Sequence, residues 1–332
     1  MKPTLIFKGD ARYTYASGVV RGLELYLLGR ADYQKLLDTP KEQLSTVLSE
    51  FGYQVREMRF EEALNKATRS LFNLVDKLSY HKELTSIWRT RTDMSNLTAV
   101  LKARFFETVL PALPDYGSIP VDDMVRQVNE YFESGRCELP QVMIDAIETA
   151  SAKLKELNRP VAIDFAVDKV FVNYFRSILP SEEYFKRFWA IYADWLNIRA
   201  FLRIVFAGIP LKDFWELFVP DGDLEFDLFR SAAEAEKESM PAHFSNTEYG
   251  KVLSDVIKEA LGGNMMMLDT FFRAKLLSLY KYTKYCAYGL ELLWAYLCTK
   301  LEEISLIRTI VRAKLAGMEP SKIKEVVTFG ME

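Results

Sequence analysis

Three short segments hold acids and bases at one spacing, and any chemistry in this sequence would start from them. DMSNLTAVLKA from Asp93, DWLNIRAFLRI from Asp194 and EISLIRTIVRA from Glu303 align without gaps. Each opens on an acid, has an aliphatic residue fifth, and carries an apolar-basic pair at the ninth and tenth positions: Leu101-Lys102, Leu202-Arg203 and Val311-Arg312. Val20-Arg21 is a weaker fourth copy of the pair. On a helix Arg199 and Arg203 share a face, as do Arg308 and Arg312, whereas Asp194 points away from Arg203 at 100° per residue. Such a set can fix the register of neighbouring helices as ion pairs or caps. It can also form a basic ring around a central partner, with Arg199, Arg203, Arg308 and Arg312 as docking residues. The first use is preferred, because repeated charges in a repeat protein often serve the repeat itself.

The other reactive residue types form no site. Cys137, Cys286 and Cys298, with His81 and His243, show no metal-ligand spacing, and the odd cysteine count argues against a disulfide framework. No metal or cofactor is expected. Neither a P-loop nor a dinucleotide glycine motif is present, and Gly262-Gly263 reads as a helix stop. His243 follows Pro241 in a loop without a base-and-orienter arrangement, so a surface histidine is expected. An all-α enzyme would need convergent titratable groups that this sequence does not supply. Asp221 to Glu238 holds seven acids against Arg230 and Lys237, best read as a solvated face. Trp189, Trp195, Trp215 and Trp294 sit in apolar helical segments and are expected in the core.

The chain has 332 residues and a formal charge of −3, so two or three domains are expected and nucleic acid is not expected as the main partner. The amino-terminal apolar run is too short for a secretory signal, and a reducing, cytoplasmic setting is expected. Residues 285–298 are too short for a membrane span, and residues 188–211 carry Asp194, Arg199 and Arg203. Apolar residues at three- and four-residue steps predict helices over 61–79 and 141–157, and 268–300 reads as one long helical run. No two-residue alternation runs far enough for a sheet, so the fold is all-α.

The repeat extends into its flanks. FEEALNK from Phe60, IDFAVDK from Ile163 and LDTFFRA from Leu268 precede the three copies. AGIPLKDFWELF from Ala207 and AGMEPSKIKEVV from Ala316 follow two of them, and GRADYQKLLDT from Gly29 follows the weak fourth. The unit is long helix, long helix, turn, short helix. Three units, divided as 1–112, 113–218 and 219–332, form either an open solenoid or a closed pseudo-threefold ring. The half-unit at the start could supply what the truncated final unit lacks.

At Asp194-Trp195-Leu196-Asn197-Ile198-Arg199, followed by Phe201-Leu202-Arg203, the chain resembles the C subunits of archaeal and bacterial V/A-type rotary ATPases, the family of the eukaryotic V-ATPase d subunit. Ile307-Arg308 through Lys314-Leu315-Ala316-Gly317 is similar to the family's C-terminal signature, and Tyr13-x-Tyr15 with Tyr33-x-x-Leu36-Leu37 to its N-terminal one. Three departures stand out: Ser17 to Arg21 in place of an Asn-Ala-Arg-like opening, Phe51-Gly52-Tyr53 in place of Thr-x-Tyr-Gly, and Leu306 in place of the third unit's Asn. The resemblance implies three similar helical domains around a pseudo-threefold axis, forming a funnel without a catalytic site. It implies one copy per complex, at the cytoplasmic face of a membrane proteolipid ring, with central-stalk subunits D and F seated in the funnel. A generic helical scaffold that binds another protein in a concave face is the alternative.

Overall fold

The computed structural model describes residues 5, 7–55, 59–208, 212–319 and 321–324. About three-quarters of the chain is helical, and no strand occurs among the described residues. The all-α expectation holds. Ile209 to Leu211 of the second turn segment, with Pro320 and residues 325–327 of the third, lie outside the described residues. The chain divides into two compact units: a discontinuous one of residues 1–60 with 180–332, and a continuous one of residues 61–179.

The discontinuous unit begins the chain with α1 (Thr14–Glu24), α2 (Arg30–Asp38) and α3 (Leu44–Glu50). The continuous unit holds α4 (Phe60–Leu78), α5 (Lys82–Thr85), α6 (Ile87–Phe105), α7 (Val121–Ser134), α8 (Gln141–Leu157) and α9 (Pro160–Ile178), with α4 starting at the boundary. The discontinuous unit resumes with α10 (Glu183–Ala207), α11 (Lys212–Leu217), α12 (Phe226–Glu234), α13 (Gly250–Leu261), α14 (Met265–Lys281) and α15 (Leu290–Leu315).

Within residues 61–179, α4 buries Ala63, Leu64, Leu71 and Val75, the stripe its periodicity marks out. Pro140 precedes α8, and Asn158 ends it in the left-handed region at φ 44°, a conformation asparagine tolerates. Pro160, which lacks an N–H, opens α9 immediately afterwards. This short turn folds α8 and α9 back on each other. Phe171 and Phe175 of α9 are fully buried.

Within the discontinuous unit, Trp294 of α15 is fully buried among Phe185 and Phe188 of α10, with ring centroids 6.2 and 5.3 Å away. Helices α1 and α2 pack on α15, and α14 packs against both α10 and α15. Phe201, Phe214, Phe229 and Phe244 form a second buried aromatic cluster. The tryptophan expectation holds at Trp189 and Trp294, whereas Trp195 and Trp215 are half-buried.

One helical expectation is corrected. Residues 268–300 are not continuous: α14 stops at Lys281, a 3-10 turn spans Tyr282–Tyr285, and α15 starts at Leu290. Contacts from α1 favour the break. Arg21 donates to the carbonyls of Thr283 at 2.7 Å and Cys286 at 2.9 Å, and the Gly289 N–H donates to Ser17 Oγ at 3.3 Å. Backbone groups freed by interrupting the helix thus find partners 262 to 272 residues away in sequence, which periodicity cannot register.

Candidate functional site

The repeated acids are buried clamps on loops. Asp194, with no solvent exposure, sits on α10 and accepts three hydrogen bonds. Leu224 N–H donates to Oδ1 at 2.9 Å, Asp223 N–H to Oδ2 at 3.1 Å, and Tyr249 O–H to Oδ2 at 2.7 Å. One turn on, Asn197 donates to the Val219 carbonyl and accepts from the Val219 N–H, both at 2.8 Å. Acid and amide together therefore pin both sides of the 219–224 loop to α10. Gly222 lies so close that a Cβ there would overlap Asp194 Oδ1. Arg187 pairs with Asp223 at 2.6 Å and with Glu248 at 3.0 Å, and so ties the loop to the segment bearing Tyr249. Asp223 is thus withdrawn from the solvated acidic face expected for 221–238.

The same device recurs on α6. Asp93 accepts from Ser118 N–H at 2.9 Å and Ile119 N–H at 3.2 Å, while Asn96 donates to the Pro114 carbonyl at 2.9 Å. Gly117 occupies the place of Gly222, again without room for a Cβ beside the carboxylate. On α15, Glu303 takes the acid's role with partners from the start of the chain. Leu28 N–H donates to Oε2 at 2.9 Å, Tyr53 O–H to Oε1 at 2.6 Å, and Lys300 pairs with it as well. Leu306, in the third asparagine position, is buried and apolar. Residues 28–53 therefore do for Glu303 what residues 223–249 do for Asp194, so the N-terminal half-unit completes the last repeat.

Burial dominates the electrostatics of the clamps. It pushes Asp194 up to about 7 and outweighs the lowering by Tyr249 and the loop N–H groups, while nearby Asp223 adds to the rise. Burial raises Asp93 in the same direction. Tyr249 and Tyr53 are held far above the usual phenol range, first by burial and then by their carboxylate partners, so both remain donors. Tyr249→Phe should lower stability by about 1–3 kcal/mol, the range for leaving a buried hydrogen-bonding group without its partner. Tyr53→Phe should act likewise through Glu303. Equilibrium chemical unfolding of the two variants checks both values.

The four arginines fall into different surroundings. Arg199 lies 3.3 Å from Asp269 of α14, which also accepts from Trp195 Nε1 at 2.9 Å. Lys102 of α6 meets Asp164 of α9 at 2.7 Å in the same manner. Both acids head the flanking segments of the next repeat, so these pairs lock one repeat's helix to its successor. Arg203 and Arg312 are exposed, and Arg308 is half-buried. The acids were legible in sequence. Tyr53 was marked only as part of the Phe51-Gly52-Tyr53 departure, and Tyr249 and the two glycines were not singled out, although Pro114-Asp115-Tyr116-Gly117 and Pro220-Asp221-Gly222 carry a common loop pattern.

No group of three or more His, Cys, Asp or Glu residues is placed to hold a metal among the described residues. An open cleft of about 440 Å³ beside Tyr249 is lined by Glu183, Arg187, Glu248 and Lys275, with opposite charges in equal number. No helix among the described residues is long and apolar enough to cross a membrane.

Against this background of repeated, loop-clamping helices, the profile of a family described as ATP synthase (C/AC39) subunit matches residues 16–326. The chain belongs to that family. Proteins named as the C subunit of A-type ATP synthase are similar over nearly the whole length. That of Pyrococcus abyssi is 22% identical, with 95% of this chain and 90% of the relative covered. That of Thermococcus kodakarensis is 23% identical at the same coverages, and that of Haloferax volcanii 22%, with 95% and 97% covered. As a C/AC39 family member, the chain is a subunit of an ATP synthase complex and works through protein partners, not as a free-standing enzyme.

Proposed function

We propose that the chain is the central-rotor adaptor of a V/A-type ATPase. It seats the stalk subunits D and F on the membrane proteolipid ring, one copy per complex at the cytoplasmic face, and passes torque between ATP turnover and proton or sodium transport. Three helical units, 1–112, 113–218 and 219–332, would surround a pseudo-threefold axis as a funnel. The observation that carries this reading is the thrice-repeated clamp at Asp93, Asp194 and Glu303, the last completed by the chain's own beginning. A torque coupling must turn without its helices sliding past their loops. Buried carboxylates that each hold two or more donors resist that shear.

Of the candidate contacts Arg199, Arg203, Arg308 and Arg312, the exposed Arg203 and Arg312 should contribute most to stalk binding. Titration of the chain against a D–F assembly at low and raised salt tests the reading. One-to-one binding that weakens with salt is expected, and Arg203→Glu should weaken it about tenfold without lowering thermal stability. Unchanged affinity together with reduced stability would assign Arg203 to the scaffold.

A further inference from the structure

The end of α15 combines charge, exposed apolar surface and a fixed backbone. From Arg308 to Lys324 the sequence has five basic residues, Arg308, Arg312, Lys314, Lys322 and Lys324, against one acid, Glu319. Leu315 and Met318, three residues apart, are 55% and 46% exposed at this corner, beside the exposed Arg312.

The backbone there is closed. Gly317 adopts φ 75°, its N–H donates to the Lys314 carbonyl at 3.0 Å, and the Met318 N–H donates to the Ala313 carbonyl at 2.9 Å. This is the Schellman arrangement, in which the residue at the Met318 position commonly packs back on its own helix. Here nearly half of that side chain remains exposed. Two anchors hold the corner: Lys314 Nζ donates to the Thr39 carbonyl at 2.6 Å, and Ile323 is buried at 1% exposure. Burial lowers the Lys314 ammonium from its usual range, and the charge of Asp38 on α2 partly offsets that effect.

We infer that the corner formed by residues 308–319 and 321–324 is a docking surface for an acidic protein segment that covers Leu315 and Met318. Arg312, Lys322 and Lys324 are exposed here against the single exposed acid Glu319, a balance that selects an acidic occupant. A protein fits better than a lipid surface for two reasons. Arginine and methionine are enriched in protein interfaces. The locked cap also gives the two apolar side chains a preorganised geometry that a fluid headgroup layer does not require. The inference rests on the rotor-adaptor reading, in which the acidic segment belongs to the stalk.

The test titrates the D–F assembly against full-length wild type, Arg312→Glu, the double variant Leu315→Ser/Met318→Ser, and Arg126→Glu on α7 as a control. Vesicles containing phosphatidylserine serve as a second probe. Both corner variants should bind D–F about tenfold more weakly or worse, with unchanged unfolding midpoints and an unaltered control. Full D–F affinity in both corner variants would overturn the inference while leaving the adaptor reading intact. Loss of vesicle binding alone would also overturn it, in favour of lipid. Failure of wild type to bind D–F would remove both.

Discussion

Gly222→Ala should destabilise the unit containing α10 by about 2–4 kcal/mol, although it adds a single methyl group. The added carbon would overlap Asp194 Oδ1, and that oxygen cannot retreat because it holds the Leu224 N–H. Either the loop lifts or the carboxylate turns, and in both cases a buried donor loses its acceptor. Asp194→Ala should be more damaging, roughly 3–5 kcal/mol, because it leaves two backbone N–H groups and the Tyr249 hydroxyl unpaired. Combined, the two changes should cost at least about 1 kcal/mol less than their sum, since Asp194→Ala removes the oxygen that the new methyl would meet. Gly18→Ala gives the opposite sign. Gly18 is an exposed position inside α1 with nothing within 4 Å of an added Cβ, so alanine should stabilise by about 0.5–1 kcal/mol. Tryptophan fluorescence during urea unfolding reads these effects, because Trp189, Trp195, Trp215 and Trp294 all lie in that unit.

Stability should fall as pH rises from about 4 to 7, with Asp194 a principal cause. Its folded pKa, about 7, lies above the unfolded aspartate value of about 3.9. Between these values the folded chain holds a proton that the unfolded chain has released. Its stabilisation is therefore complete below about pH 4, declines through the interval, and is gone above about pH 7. The total is on the order of 2–4 kcal/mol, with a slope approaching 1.4 kcal/mol per pH unit. Asp93, Asp223, Glu291 and Glu302 are all raised by burial and slope the same way. Asp194→Asn should remove one proton's worth of this slope while lowering stability overall, because an amide nitrogen replaces one acceptor. A slope identical to wild type would mean that Asp194 stays ionised throughout, held so by its three donors.

Much of this architecture could be read from residue order. Helical periodicity located α4 and α8, and the ungapped repeat picked out Asp93, Asp194 and Glu303 before their surroundings were known. Their partners were hidden for a physical reason. Tyr249 reaches Asp194 across 55 residues and Tyr53 reaches Glu303 across 250, and neither pairing leaves a local pattern. The break before α15 was hidden likewise, since Arg21 and Ser17 of a distant helix satisfy its backbone. The arginines divided by surroundings: Arg199 bonds to the next repeat's acid, whereas Arg203, one turn on, is exposed. Spacing placed both on one face and could not separate them.

Torque transfer through this chain would be read from ATP-driven ion uptake into vesicles bearing the membrane ring and stator. The ATP-hydrolysing head and stalk would be added with and without this chain, following hydrolysis and uptake together. Hydrolysis is expected in both preparations, and ion uptake only when the chain is present. Full uptake in its absence would show that stalk and ring couple without it, and would contradict the adaptor role.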